Sequence, residues 1–161
     1  MRDRVQRGLL CASLILVAAM LSPVAGASQA DDAAAVRDFK LNTDYLHRWM
    51  AVKRNAADQG VRMRLFKMHD GKMTAVGGNS LNAMSAHLDA EPGVHAILAE
   101  HDMSARGFIL GSFALMSARL ALIPHAEGSN VNPDNVAFVK AHKDEIDRFI
   151  RQNLQAHANT R

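Results

Sequence analysis

Cysteine is almost absent from this chain, and so is any surplus of charge. The 161 residues hold one cysteine, Cys11. It lies inside the apolar run Leu9–Leu21, which follows Arg2, Arg4 and Arg7 and is broken by Ser22-Pro23. Ala25-Gly26-Ala27 and Ser28-Gln29-Ala30 then place small residues where a signal peptidase reads. This order predicts a secretory signal peptide over residues 1–30. Cleavage after Ala30 is favoured because Asp31-Asp32 follows, and cleavage after Ala27 is the alternative. The run has thirteen residues, short of the ~20 that a spanning helix needs. No membrane span is expected once the signal is removed, and the expected location is the periplasm or the medium.

A lipoprotein cysteine would stand at the end of the apolar run, not within it, so Cys11 is not a lipid anchor. It leaves with the signal. The remaining chain has no cysteine, which excludes disulfides, thiolate metal sites, cysteine nucleophiles and haem attachment through two cysteines.

Charge is just as uninformative about partners. Taking Arg2, Arg4, Arg7 and Asp3 from 19 basic and 16 acidic residues leaves 16 against 15. A net charge of +1 gives no footing for nucleic-acid or acidic-lipid binding. There is also no Gly-x-Ser-x-Gly elbow and no phosphate-binding glycine loop. Gly77-Gly78 reads as a turn. Ser80, Ser104 and Ser112 are accounted for by capping or packing. The neighbours His69-Asp70 and His101-Asp102 point apart on a helix. No set of residues marks an enzyme, although a triad assembled in space is invisible in sequence.

What is present is helical patterning. Residues 31–40 (DDAAAVRDFK) read as a loose N-terminal arm, and residues 41–161 as one helical domain. Asn42 or Thr43 can cap a first helix, whose face is Leu41, Tyr45, Trp49, Val52 and Ala56. Val61–Met68 is ambiguous. Val61, Met63 and Leu65 alternate with Arg62 and Arg64 as in a strand, and Asp70-Gly71 would make a tight turn. Equally, Val61, Leu65 and Met68 share one helical face. A helix is expected here, because every other segment reads helical and a lone hairpin is marginal.

Ser80 caps the next helix, and Pro92 suits the first position of another. Ser104 caps the long apolar segment Ala105–Ile123, which belongs at the centre of a bundle. Its Gly107, Gly111 and Ser112 leave room for a close neighbour, and Pro124 ends it. Residues 125–131 (HAEGSNV) are a polar loop. Asn132-Pro133-Asp134 opens the last helix, with Val136, Val139, Ile146, Phe149, Ile150 and Leu154 on its face. The expected fold is an all-α, single-domain bundle of about five helices.

The blocks MSARGFILGSFALMSARLA and NPDNVAFVKAHKDEIDRF, between residues 103 and 149, resemble parts of a family of small, exported, helical bacterial proteins without an assigned function. The most specific element is N-P-x-N-V-x-F, Asn132 to Phe138. The resemblance implies a secreted all-α domain and carries no catalytic residues with it.

Two chemistries are suggested by residue type. Seven methionines and eight histidines remain after the signal. Four Met–His pairs fall within three residues: His47…Met50, Met68-His69, Met84…His87 and His101…Met103. Thioethers suit Cu(I) and Ag(I), and imidazole suits several transition metals. Random placement would give roughly two or three such pairs. The candidate metal ligands are His47, Met50, Met68, His69, Met84 and His87. Haem between His142 or His95 and Met50, Met84 or Met116 is a weaker option. So is a metal pair using Asp44-x-x-His47 and His142-x-x-Glu145. The second chemistry is partner binding, with Tyr45, Trp49 and Phe66 as aromatic anchors. The expected function is an exported binding or interaction module for an unknown protein or small ligand, with no cofactor. The alternative is a periplasmic Cu(I)/Ag(I)-binding protein.

Overall fold

The computed structural model of the protein describes residues 29–124 and 131–159. Of the signal peptide expected over residues 1–30, all but Gln29 and Ala30 lies outside the described residues, as does the loop 125–130. Seven helices and one hairpin follow in order: α1 (Gln29–Asp38), α2 (Thr43–Asp58), β1 (Phe66–His69), β2 (Lys72–Ala75), α3 (Leu81–Ala90), α4 (Pro92–Glu100), α5 (Ala105–Leu120), α6 (Pro133–Ala141) and α7 (Lys143–Asn159).

The helix starts follow from local chemistry. Asn42, Ser80, Ser104 and Asn132 each accept a backbone N–H of the first turn, from Tyr45, Ala83, Gly107 and Asp134 respectively. Pro92 and Pro133 open α4 and α6, where a missing N–H costs nothing. The ends of α2 and α4 share one motif. Gly60 and Asp102 take left-handed backbones, with φ of 67° and 49°. The next N–H groups, of Val61 and Met103, reach back to the carbonyls of Ala56 and Leu98 at 2.8 and 2.9 Å.

α5 is the hub, with α1, α3, α4 and α6 around it, while α2 lies against α4 and α7. Side chains of α2 also reach α5. The Tyr45 ring occupies the space above Gly111, where a Cβ would overlap it, and its hydroxyl donates to the Phe108 carbonyl at 3.3 Å. Burial pushes the phenol pKa up. α5 is not covered all round, since Met116 and Leu120 near its C-terminal end, and Ile123 just beyond it, are exposed.

Three expectations are corrected. The helix expected over Val61–Met68 is absent: residues 61–65 lead into a hairpin, with Phe66 opposite Ala75, Lys67 opposite Thr74, Met68 opposite Met73 and His69 opposite Lys72. Asp70 and Gly71 have φ of 48° and 74°. Two successive left-handed residues end any helix and close a two-residue turn. The hairpin is not alone, because Phe66 packs on Phe113 of α5 at 5.7 Å between ring centroids.

The arm at 31–40 is largely α1. Buried Asp32 accepts the Leu81 N–H at 2.9 Å, so α1 supplies a second cap for α3. Finally, the single last helix is two, α6 and α7, parted at His142, whose φ and ψ are −101° and 14°.

The N-P-x-N-V-x-F stretch has a structural explanation. Asn132 caps α6. Buried Asn135 accepts the Leu41 N–H at 2.9 Å and donates to the Phe39 carbonyl at 2.7 Å, tying the α1–α2 link to α6.

Candidate functional site

A groove of about 310 Å³ opens between α2, the hairpin arm (residues 61–65, leading into β1), α5 and α7. Trp49 and Lys53 come from α2, one turn apart. Met63, Leu65 and Phe66 come from the arm and β1, alternating with exposed Arg62 and Arg64. α5 contributes Ser112, Phe113, Leu115, Met116 and Arg119, and α7 contributes Ile150. The walls are apolar and aromatic, as in many small-molecule sites.

The polar groups of the groove are unequal. The Trp49 indole N–H donates to the Ser112 hydroxyl at 2.9 Å, so its polar edge is satisfied. Arg119 pairs with Asp147 at 2.9 Å. That carboxylate also takes Lys143, and the two cations hold its pKa below the ordinary 3.8, with Lys143 the larger influence. Lys53 has no carboxylate or hydrogen-bond partner among the described residues. Its ammonium lies 5.2 Å from the centre of the Phe108 ring and 5.9 Å from that of Trp49. Phe108 is fully buried. The low dielectric there disfavours the charged form and draws the Lys53 pKa below 10.5.

Of the three aromatic anchors expected from sequence, the groove brings Trp49 and Phe66 together. Trp49 is only 8% exposed and shows one face to the groove, whereas Phe66 is 37% exposed. Tyr45 belongs to the core, beside Phe39 and Gly111. Lys53 was not apparent as a site residue. A local pattern marks its inward position, though not the ring it meets. Its helical neighbours Trp49, Met50, Ala56 and Ala57 are all apolar, leaving a lysine on the inward face with no acid within one turn.

The candidate metal ligands are spread over α2, β1 and α3. Met50 and Met84 are buried in the core. His47 is exposed, with its Nε2 3.4 Å from Glu145. His87 pairs with Glu91 at 2.9 Å. Met68 stands out from the hairpin at 66% exposure, and His69 follows it in β1. The two half-motifs for a metal pair do meet. Glu145 stands between His47 and His142, the latter at 3.3 Å, while Asp44 turns away to Arg48. Among the described residues, no three His, Cys, Asp or Glu side chains are grouped to hold a metal. For haem, His95 lies at the surface, 3.7 Å from Asp89. No described helix is long and apolar enough to cross a membrane. No family model, curated protein or solved structure matches this chain.

Proposed function

We propose that the protein is an exported binding module that holds a small, mainly apolar ligand in the Trp49–Phe66 groove. The observation that carries this reading is a concavity of about 310 Å³ walled by Trp49, Phe66 and Phe113. That volume is at the small end of ligand sites, which span roughly 300–1,000 Å³. Export rests on the signal-like residues 1–30. The fold supplies rigidity from α2 and α5, while the hairpin makes a thinner third wall.

Trp49 is the only tryptophan in the chain, so its fluorescence reports on the groove alone. Titration of the cleaved protein with N-phenyl-1-naphthylamine, an uncharged apolar dye, is expected to quench Trp49 with one saturable site. Phe66→Asp, at a part-exposed position, is expected to weaken dye binding at least tenfold. Unsaturable quenching, or the same affinity in the variant, would overturn the reading.

One observation favours the soft-metal alternative in a reduced form. Met68 and Met73 face each other across the hairpin and are 66% and 68% exposed. Exposed thioethers fill no core gap, and directly opposed side chains on one face lie about 5 Å apart at Cβ. Native mass spectrometry during Ag(I) titration tests this. One ion bound, and lost in Met68→Leu/Met73→Leu, supports it. No uptake removes it.

A further inference from the structure

We propose that the groove takes an organic monocarboxylate, with an apolar body against Trp49, Phe66 and Met116 and the carboxylate on the Lys53 ammonium. The proposal rests on the groove being a ligand site, and adds the charge and class of the ligand.

Charge compensation is the first argument. Arg48 has Asp44 at 2.6 Å and Arg119 has Asp147 at 2.9 Å. Arg54 projects over Phe149 at an exposed position. Among the described residues of the lining, Lys53 is the cation without a carboxylate, and the rings of Phe108 and Trp49 lie beside it. Ring faces offset part of the cost of desolvating an ammonium. A carboxylate at hydrogen-bonding distance would offset far more, because both charges would share one low-dielectric site.

The count of charges sets the ligand's valence. Lys53 offers one positive charge. Arg119, which also lines the groove, is already matched by Asp147. A phosphate group, with a charge near −2, would leave one charge uncompensated. A carboxylate leaves none.

The walls set the rest. Ser112 is the remaining polar side chain of the lining beside Lys53 and Arg119, and its hydroxyl is engaged on both sides, accepting from the Trp49 indole and hydrogen-bonding the Tyr45 phenol. Nothing there rewards hydroxyls or amides along the ligand's body. The groove also continues at Met116 into the exposed apolar end of α5. An alkyl chain entering carboxylate-first would therefore have apolar surface along its length. The small volume favours a single chain over a two-chain lipid.

The pH dependence follows from the same neighbours. α5 brings Arg119 and Ser112 towards Lys53, while the arm and α7 bring apolar side chains. Arg119 is paired with Asp147. Carboxylate affinity should therefore fall as rising pH takes the proton from Lys53.

The test compares laurate with dodecanol, its neutral analogue of equal chain length, by competition against N-phenyl-1-naphthylamine. Laurate is expected to bind more tightly than dodecanol near neutral pH. Lys53→Met keeps the stem but removes the charge. It should cost laurate roughly ten- to hundredfold in affinity and leave dodecanol unchanged or slightly tighter. The preference for laurate should also decline at alkaline pH in the parent protein and not in the variant, a readout that needs no mutant to fold better than its parent. Equal binding of laurate by parent and variant, or equal binding of laurate and dodecanol while the dye binds, would overturn the carboxylate proposal alone. Failure of the dye itself to bind would remove the groove reading beneath it.

Discussion

Single residues carry two kinds of information here, and only one kind is visible in sequence. A capping side chain acts on an N–H two or three residues away, so Asn42, Ser80, Ser104 and Asn132 could be assigned before any fold was known. Lys53 and Gly111 are the opposite case. Each is defined by a residue far along the chain, Phe108 for Lys53, 55 positions on, and Tyr45 for Gly111, 66 positions back. Gly111 was legible as a small residue on a central helix, but not which ring it admits. Substituting Gly111→Ala should gain about 1 kcal/mol of helix propensity and lose more through overlap with Tyr45, whose ring is held by the Phe108 carbonyl and Phe39. Overpacking typically costs about 1–3 kcal/mol, and rigid backbone on both sides puts this site at the upper end. A net loss of about 2 kcal/mol in urea unfolding is expected. A variant as stable as the parent would mean that the α2–α5 approach is looser than described. Asp102 offers the converse test. It takes the left-handed backbone at the end of α4 with a side chain that is exposed. Asp102→Gly should raise stability by about 1 kcal/mol by removing that steric cost, measured the same way.

Elements were legible where one pattern dominated and illegible where two patterns fitted. The alternation of Val61, Met63 and Leu65 with Arg62 and Arg64 is real, since the first three face the core and the arginines face water. A helical face over Val61, Leu65 and Met68 fitted the same letters. The choice was made by Asp70-Gly71 adopting two left-handed residues, and by Phe113 standing where Phe66 can pack. α1 was missed for a related reason. Its sequence, with Asp31, Asp32 and four alanines, has no strong apolar face of its own. It is held from outside, through Asp32 on Leu81 and through Ala35 and Val36 against the core. The break at His142 leaves the apolar spacing uninterrupted, so the sequence pattern ran straight through it. Since Asp32 joins two elements, Asp32→Ala should weaken both. Loss of a capping carboxylate costs about 0.5–2 kcal/mol. Hydrogen exchange should show protection falling in the first turn of α3 and along α1, with α7 unchanged. Uniform loss across the molecule would instead mean that α1 is integral to the global core.

At the scale of the whole molecule, α5 is surrounded on one side by α1, α3, α4 and α6 and left bare at its C-terminal end, where the groove begins. Two ionisable groups with shifted pKa values border that bare end, and they respond to pH in opposite regions. Asp147, between Arg119 of α5 and Lys143 of its own helix, has a pKa below 3.8. Its contribution to stability is fully present above 3.8 and is lost as pH falls through its folded value. Because Asp147 and its partners are partly exposed, the effect is modest and should shrink with added salt. Lys53, with a pKa below 10.5, behaves otherwise. Below its folded pKa the folded state bears a partly desolvated charge that the unfolded chain keeps fully in water. As pH rises from the folded value towards 10.5, the unfolded chain holds the proton and the folded protein does not, so stability rises. Thermal unfolding followed across pH in the parent, Asp147→Asn and Lys53→Met separates the two. Asp147→Asn should flatten part of the acid limb and leave the alkaline limb alone. Lys53→Met should raise Tm near neutral pH, with the advantage closing as pH approaches 10.5. If laurate occupies the groove, it should reverse that order, protecting the parent near neutral pH while adding little to the variant. A Lys53→Met protein less stable than the parent at neutral pH without ligand would mean that the ring faces of Trp49 and Phe108 already repay the desolvated charge, and that the lysine is a packing element of the fold.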